Sequence, residues 1–167
     1  MKLNSLHDLY VHQLKDLYSA ETQLLDALPD MARAATHDDL KQAFSEHLQQ
    51  TKLQKDRLEK IGEALGEDLS GETCQAMKGL IKEGKEMIEQ KAADPVKDAG
   101  LITSAQRVEH YEIAGYGTVC TFAEMLGRTD ELTLLRETLS EEKATDDKLN
   151  KLAKRTIDPA ALQAELA

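Results

Sequence analysis

The chain has 167 residues, of which 31% are charged, 41% hydrophobic and 4% aromatic, with no Trp and a formal net charge of −10. Its length suits one domain that buries a sizeable core, and its aliphatic, aromatic-poor composition favours helices packed through Leu and Ala. The acidic balance opposes nucleic-acid binding, which needs clustered Lys and Arg against phosphates, and opposes docking on an anionic membrane surface.

A first helix is predicted over 5–35. Ser5 and Asp8 resemble a capping box, and the apolar stripe runs Val11, Leu14, Leu17, Tyr18, Leu24, Leu25, Leu28. Pro29 either kinks or shortens it. A second helix spans 37–65. It starts after Thr36, with Asp39 three residues on, carries Leu40, Phe44, Leu48, Leu58 and Ile61 on one face, and stops at Gly66. GEDLSG at 66–71 reads as a loop, and 72–92 as a more isolated helix whose Glu and Lys residues form a solvated face. Asp94-Pro95 opens a fourth helix over 95–126, with Asp as N-cap and Pro at the first helical position. A fifth covers 130–156, and Asp158-Pro159 begins a short tail of one or two helical turns. Two hairpins of nearly equal length, joined by a crossover that contains one helix, make an all-α, ferritin-like four-helix bundle.

The N-terminal MKLNSLHDLY lacks the apolar run of a signal peptide, and no stretch approaches the ~20 apolar residues of a transmembrane helix. Cys74 and Cys120 lack metal-type spacing and read as reduced, packed thiols, with a disulfide between them as the open alternative. The expected location is the cytoplasm.

The inward stripes carry polar residues near the middle of every long helix. Glu21 lies between Tyr18 and Leu24/Leu25. His47 follows Phe44, with Thr51 and Gln54 in the same row and Gln50 beside it. In VEHYEIAGYGT, Glu109 and Glu112 share the stripe of Ile102, Ala105, Val108, Ile113 and Tyr116. Glu142 and Asp146 fall within Leu135, Thr138 and Leu149. Glu21 to Gln50 is 29 residues and Glu112 to Glu142 is 30, so antiparallel hairpins bring the four contributions to one level. Desolvation and mutual repulsion oppose burying such carboxylates as anions. Protons, cationic side chains or metal cations must neutralise them, and no Lys or Arg shares these rows near the cluster. Two divalent cations would supply four positive charges. Oxygen-rich ligation with one imidazole suits Fe or Mn. The candidate ligands are Glu21, His47, Gln50, Glu109, Glu112, Glu142 and Asp146. Tyr18 and Tyr116 pack within one turn of Glu21 and Glu112. Ala114, Gly115 and Gly117 weaken the helix and allow close approach of another, inside the bundle or across a dimer.

The stretches DLYVHQLKDLYSAETQLLDALPDMARAA, SEHLQQTKLQKDRLE, VEHYEIAGYGT and SEEKATDDKLNKLA resemble the YciF-type bacterial stress proteins. The resemblance covers nearly the whole chain. It implies a ferritin-like bundle, often a homodimer, linked to general stress. Di-iron carboxylate bundles use one Glu from each of two helices and Glu-x-x-His from each of the other two. Here the second helix has His47-x-x-Gln50, reversed and with an amide, and the fifth has Glu142 followed by Thr145 at i+3. The sequence therefore leads to one or two Fe or Mn ions in the core, with a small oxidant, peroxide or oxygen, as substrate. The alternative is a non-catalytic helical structural or interaction protein whose metal-free polar network fixes helix register. No phosphate-binding Gly loop or nucleophile motif is present.

Overall fold

The computed structural model describes residues 3–165. It contains α1 (Leu6–Ala34), α2 (Asp38–Leu65), α3 (Gln75–Glu89), α4 (Asp94–Met125), α5 (Thr129–Leu152) and α6 (Asp158–Glu165), and among the described residues there is no strand. Three-residue turns join α1 to α2 and α4 to α5, so each pair is an antiparallel hairpin. The hairpins pack α1 on α4 and α2 on α5, and α3 lies in the crossover against α1 and α4. This is the expected four-helix bundle with one extra helix.

Local chemistry sets the helix ends. Ser5 Oγ accepts the Asp8 N–H (3.0 Å) while Asp8 reaches back to the N–H of Asn4 (2.8 Å), which is the predicted box displaced by one residue. Gly66 ends α2 at φ 70°, and Gly127 turns the second hairpin at φ 69°, both left-handed conformations that suit glycine. α1 runs through Pro29 to Ala34. The N-cap of α4 is Ala93, so Asp94 and Pro95 both sit inside the first turn, one residue further in than expected.

Two further ends depart from the sequence reading. The N-cap of α2 is His37, whose Nδ1 accepts the Asp39 N–H, rather than Thr36. Thr36 is held from α4 instead. The buried carboxylate of Asp98 accepts the Thr36 N–H (2.8 Å), the Thr36 hydroxyl (2.6 Å) and the His37 N–H (2.8 Å), tying the first turn to the second hairpin. The tail is not separate either. α5 passes through a π-helical turn, Ala153–Ile157, directly into α6. Pro159 has no N–H for the i−4 bond, and the wider turn just before it lets the Asp158 N–H reach the Ala153 carbonyl.

The apolar core falls into two clusters. One holds Leu24, Leu28, Phe44, Leu101, Ile102, Val108 and Leu149. The other holds Tyr10, Leu14, Leu17, Leu58, Ile61, Tyr116, Val119 and Leu135. Along each long helix the boundary between them falls at the polar residues, near 21, 47–54, 109–112 and 138–145. Gly115 lets α4 approach α1 closely, because a Cβ there would come within 2.8 Å of Leu17 Cδ2. A Cβ at Gly117 would meet only open space. Ile113, Tyr18 and Leu25 are half-buried flank residues rather than members of the central stripe.

Hydrogen bonds to a charged acceptor contribute about 1.5–3 kcal/mol each. Asp98→Ala leaves two backbone N–H groups and a hydroxyl without their acceptor. The expected cost is about 3 kcal/mol, or roughly 6–12 °C in melting temperature for a chain of this length. Urea and thermal unfolding check it, and a loss below about 1 kcal/mol contradicts the role given to Asp98.

Candidate metal centre

Four helices converge on the layer between the two clusters. Glu21 from α1, His47 from α2, Glu109 and Glu112 from α4 and Glu142 from α5 are all buried, with the four glutamates at 0% exposure. Within this layer, ligand atoms of His47, Glu109 and Glu142 all lie within 4.8 Å of one another. His47 Nδ1 is 3.1 Å from Glu109 Oε1 and Nε2 is 3.8 Å from Glu142 Oε2. Neither contact is an aligned hydrogen bond, because both Glu109 oxygens, His47 Nε2 and Glu142 Oε2 lack a partner. Glu21 and Glu112 adjoin this triad and interact electrostatically with it, although their oxygens are not among the atoms gathered within that distance.

The layer is partly oriented by its surroundings. The Tyr116 hydroxyl donates to Glu21 Oε1 at 2.5 Å. The Gln54 amide donates to Glu142 Oε1 and, at 3.1 Å, to Glu141 Oε2. Glu141 is in turn gripped by the Arg57 guanidinium at 2.7 and 2.8 Å, and Arg57 also pairs with Glu137 and donates to Thr138. Arg57 is a buried cation on α2, but its charge goes to Glu137 and Glu141 and not to the core glutamates. The sequence reading placed no Lys or Arg on these rows near the cluster, and Arg57, buried three residues beyond Gln54, corrects it.

Gln50 and Asp146 lie at the rim. Gln50 is half-buried, and its Oε1 accepts the Thr145 hydroxyl at 3.3 Å. Asp146 accepts from Gln106 (3.1 Å) and lies 3.5 Å from Nε2 of the exposed His110. The i+3 positions of His47 and Glu142, where a di-iron bundle carries histidines, are thus Gln50 and Thr145, and they bond to each other. Tyr18 points away from the layer. Its hydroxyl donates to Glu59, and Lys55 sits over its ring. Gln54 and Thr51 are the participants that the sequence showed only as continuations of a stripe. Both are buried, and Gln54 Oε1 and Thr51 Oγ1 are without partners. The two cysteines are free and buried.

The electrostatics follow from burial. Desolvation holds Glu21, Glu112 and Glu142 well above the ordinary carboxylate range, and neighbouring carboxylates add to it. Glu109 is pushed up to about 8, chiefly by desolvation, with the adjoining Glu142 carboxyl acting in the opposite direction. The Tyr116 phenol is raised by burial and by Glu21 beside it. Without another cation, burial therefore favours the protonated form of these carboxyls. Yet Glu21 Oε2, both oxygens of Glu109, both of Glu112 and Glu142 Oε2 have no hydrogen-bond partner in their buried setting. Unpaired buried acceptors are costly. Convergent carboxylate oxygens with one imidazole nitrogen form a donor set that fits a hard or borderline divalent cation.

Residues 5–162 match the family described as a domain of unknown function, DUF892. The chain belongs to the DUF892 family. It is 46% identical over 162 residues to Protein YciF of Escherichia coli (strain K12), across 96% of this chain and 98% of that protein. The crystal structure of the E. coli stress protein YciF matches with a TM-score of 0.89, over 93% of this chain and 98% of that one. YcfI of Rhodopseudomonas palustris, described as a candidate structural protein, is 44% identical with a TM-score of 0.86, over 89% and 95% of the two chains. A protein from Xanthomonas campestris pv. campestris, only 19% identical, shares the fold at a TM-score of 0.77. The resemblance carried by the four sequence stretches is thus established for this DUF892 chain as a whole. No helix among its described residues is long and apolar enough to cross a membrane.

The raised pKa of Glu109 fixes the sign of a pH effect. Between its ordinary value of 4.5 and about 8, the folded protein holds a proton that the unfolded chain has released. Stability of the chelated protein therefore falls as pH rises through this window and levels off above it. For Glu109 alone the full effect is on the order of 5 kcal/mol. Urea midpoints with chelator across that range should decline, and Glu109→Gln should flatten the decline. A midpoint that rises with pH in both proteins contradicts this account.

Proposed function

We infer that this protein is a metal-binding member of the bacterial stress response, holding one or two Fe or Mn ions in the layer between its two apolar clusters. The observation that supports this most is the set of buried acceptor atoms on Glu21, Glu109, Glu112 and Glu142 without hydrogen-bond partners, beside an unpartnered His47 nitrogen. Four carboxylates and two divalent cations balance in charge. His47, Glu109 and Glu142 would hold the first ion, and Glu21 and Glu112 would complete or extend the site. Gln50 and Asp146 stay as rim groups that could close on it. The similarity to the E. coli stress protein YciF supports the physiological setting.

The ions would supply reactivity toward oxygen or peroxide. The protein's own share is plainer. Gln54 orients Glu142 through one oxygen and leaves the other facing His47, and Tyr116 holds Glu21 through Oε1 and leaves its Oε2 unpartnered. The apolar clusters above and below exclude water, which strengthens every charge interaction in the layer. Gln50 and Thr145 replace two imidazoles of the di-iron pattern by an amide and a hydroxyl, so the second ion is held more weakly than the first. We read the protein as a cytoplasmic homodimer without nucleic-acid or membrane partners, an expectation supported by its acidic charge and its likeness to the YciF-type proteins.

The second reading is a structural protein whose polar layer fixes helix register, favoured by the description of the Rhodopseudomonas relative. Metal content by mass spectrometry, on protein purified without chelator or affinity metal, separates the two. The expected result is one or two equivalents of Fe or Mn, reduced in Glu112→Ala and lost in Glu142→Ala. No bound metal, even after anaerobic Fe(II) loading, leaves the structural reading in its place.

A further inference from the structure

The cluster is not sealed evenly on all sides. On the α3 side a narrow cavity of about 40 Å³ runs between α1, α3 and α4. Its floor includes His47 and Glu109, two of the three residues whose ligand atoms converge. Its walls are hydrocarbon, with Leu24 and Leu28 from α1, Ile81 from α3 and Val108 from α4. Asp30 and Lys85 line it at the outer end. Both also line an open surface groove with Arg33 and Glu89, so the cavity continues toward solvent between α1 and α3.

Size and lining select what can enter. Pockets for organic ligands are typically ~300–1,000 Å³, far larger than this. A single water needs only roughly 10–15 Å³. The cavity therefore takes molecules of very few heavy atoms. Among these, hydrogen peroxide or a small anion would give up hydration to walls that are mostly hydrocarbon, where between the outer Asp30 and Lys85 and the floor the polar side chain is Ser104, whose hydroxyl already donates to the Gly100 carbonyl. A neutral, apolar diatomic gives up almost nothing.

Gly84 keeps this space open. It is buried on α3 and lines the cavity. A Cβ at this position would lie 3.8 Å from Met31 Sδ and 3.9 Å from Ser104 Cβ, ordinary contact distances. A methyl can therefore be added without backbone strain, and because Gly84 lines the cavity a longer side chain there would narrow it.

We propose that this cavity is the binding and entry site for dioxygen-class molecules at the carboxylate layer, and that Gly84 sets its bore. The inference rests on the metal reading for its chemical use. It narrows the oxidant from peroxide or oxygen to oxygen.

Xenon is the probe for the cavity itself, since dry apolar cavities of this kind take it up. Crystals of chelated protein under xenon pressure should show xenon among Leu24, Leu28 and Val108 in the wild type and none there in Gly84→Leu. In anaerobically Fe(II)-loaded protein, Gly84→Leu should keep the wild-type metal content but slow Fe(II) oxidation by dioxygen several-fold. Gly84→Ala, which adds one methyl at an unstrained position, should fall between and serves if the larger variant does not fold. A wild-type cavity without xenon overturns the proposal. So does xenon uptake with an oxidation rate that neither variant changes. Absence of metal uptake by the wild type is a separate failure. It removes the metal reading, and with it the chemical use of the cavity, whatever xenon shows.

Discussion

Four fully buried glutamates and one imidazole in a layer that cuts the hydrophobic core in two are the constraint on which the rest of this bundle depends. A core of Leu, Ile and Ala alone could tolerate slippage of one helix against the next. A layer with charged or protonated groups cannot, because a shift of one turn would place a carboxyl against hydrocarbon with nothing to receive it. Other features of the fold serve to hold that layer level. Asp98 locks the α1–α2 turn onto α4. Gly115 lets α4 close onto Leu17 of α1 just beyond Glu112. Arg57 fixes Glu141, which shares the Gln54 amide with Glu142.

Burial, with neighbouring carboxylates adding to it at Glu21, Glu112 and Glu142, raises every carboxyl of the layer and so favours their protonated forms when nothing else is bound. Protons are a poor match for the geometry. A protonated carboxyl has one donor to give, whereas oxygens of Glu109 and Glu142 converge beside a His47 nitrogen, with unpartnered oxygens of Glu21 and Glu112 in the same layer. A divalent cation satisfies several oxygens at once. On this view proton and metal compete for the same groups, and the stability of the protein, its pH dependence and its affinity for metal are linked.

The fold was readable in the sequence because long amphipathic helices repeat their signal over many turns, and because Gly66, Gly127 and Asp94-Pro95 punctuate it. Glu21, His47, Glu109, Glu112 and Glu142 were readable for the same reason, each standing where an apolar residue belongs. The sequence was least decisive where a helix leaves a choice of flank. Thr145 and Asp146 lie on opposite sides of the line through Glu142, and periodicity alone does not say which side faces the bundle. The structure turns Thr145 inward and leaves Asp146 at the rim. Gln50 is set beside the His47–Thr51–Gln54 row in the same manner. Asp98 gave no local signal, since its partners, Thr36 and His37, are about sixty residues away in the chain. The oxygen–hydrogen alignments that distinguish a partnered carboxylate from an orphaned one are three-dimensional facts without any sequence counterpart.

Counting protons released per metal ion bound is the most direct test of the central claim. Chelated protein is titrated anaerobically with Mn(II) or Fe(II) in weakly buffered solution near neutral pH, with uptake and proton release followed together. If the carboxyl layer is the site, saturation comes at one or two ions and each ion releases protons from the glutamates, with the release reduced in Glu109→Gln. Uptake without proton release, or no uptake at all, would mean that the layer is not where metal binds and that its glutamates remain a proton-neutralised spacer in the core.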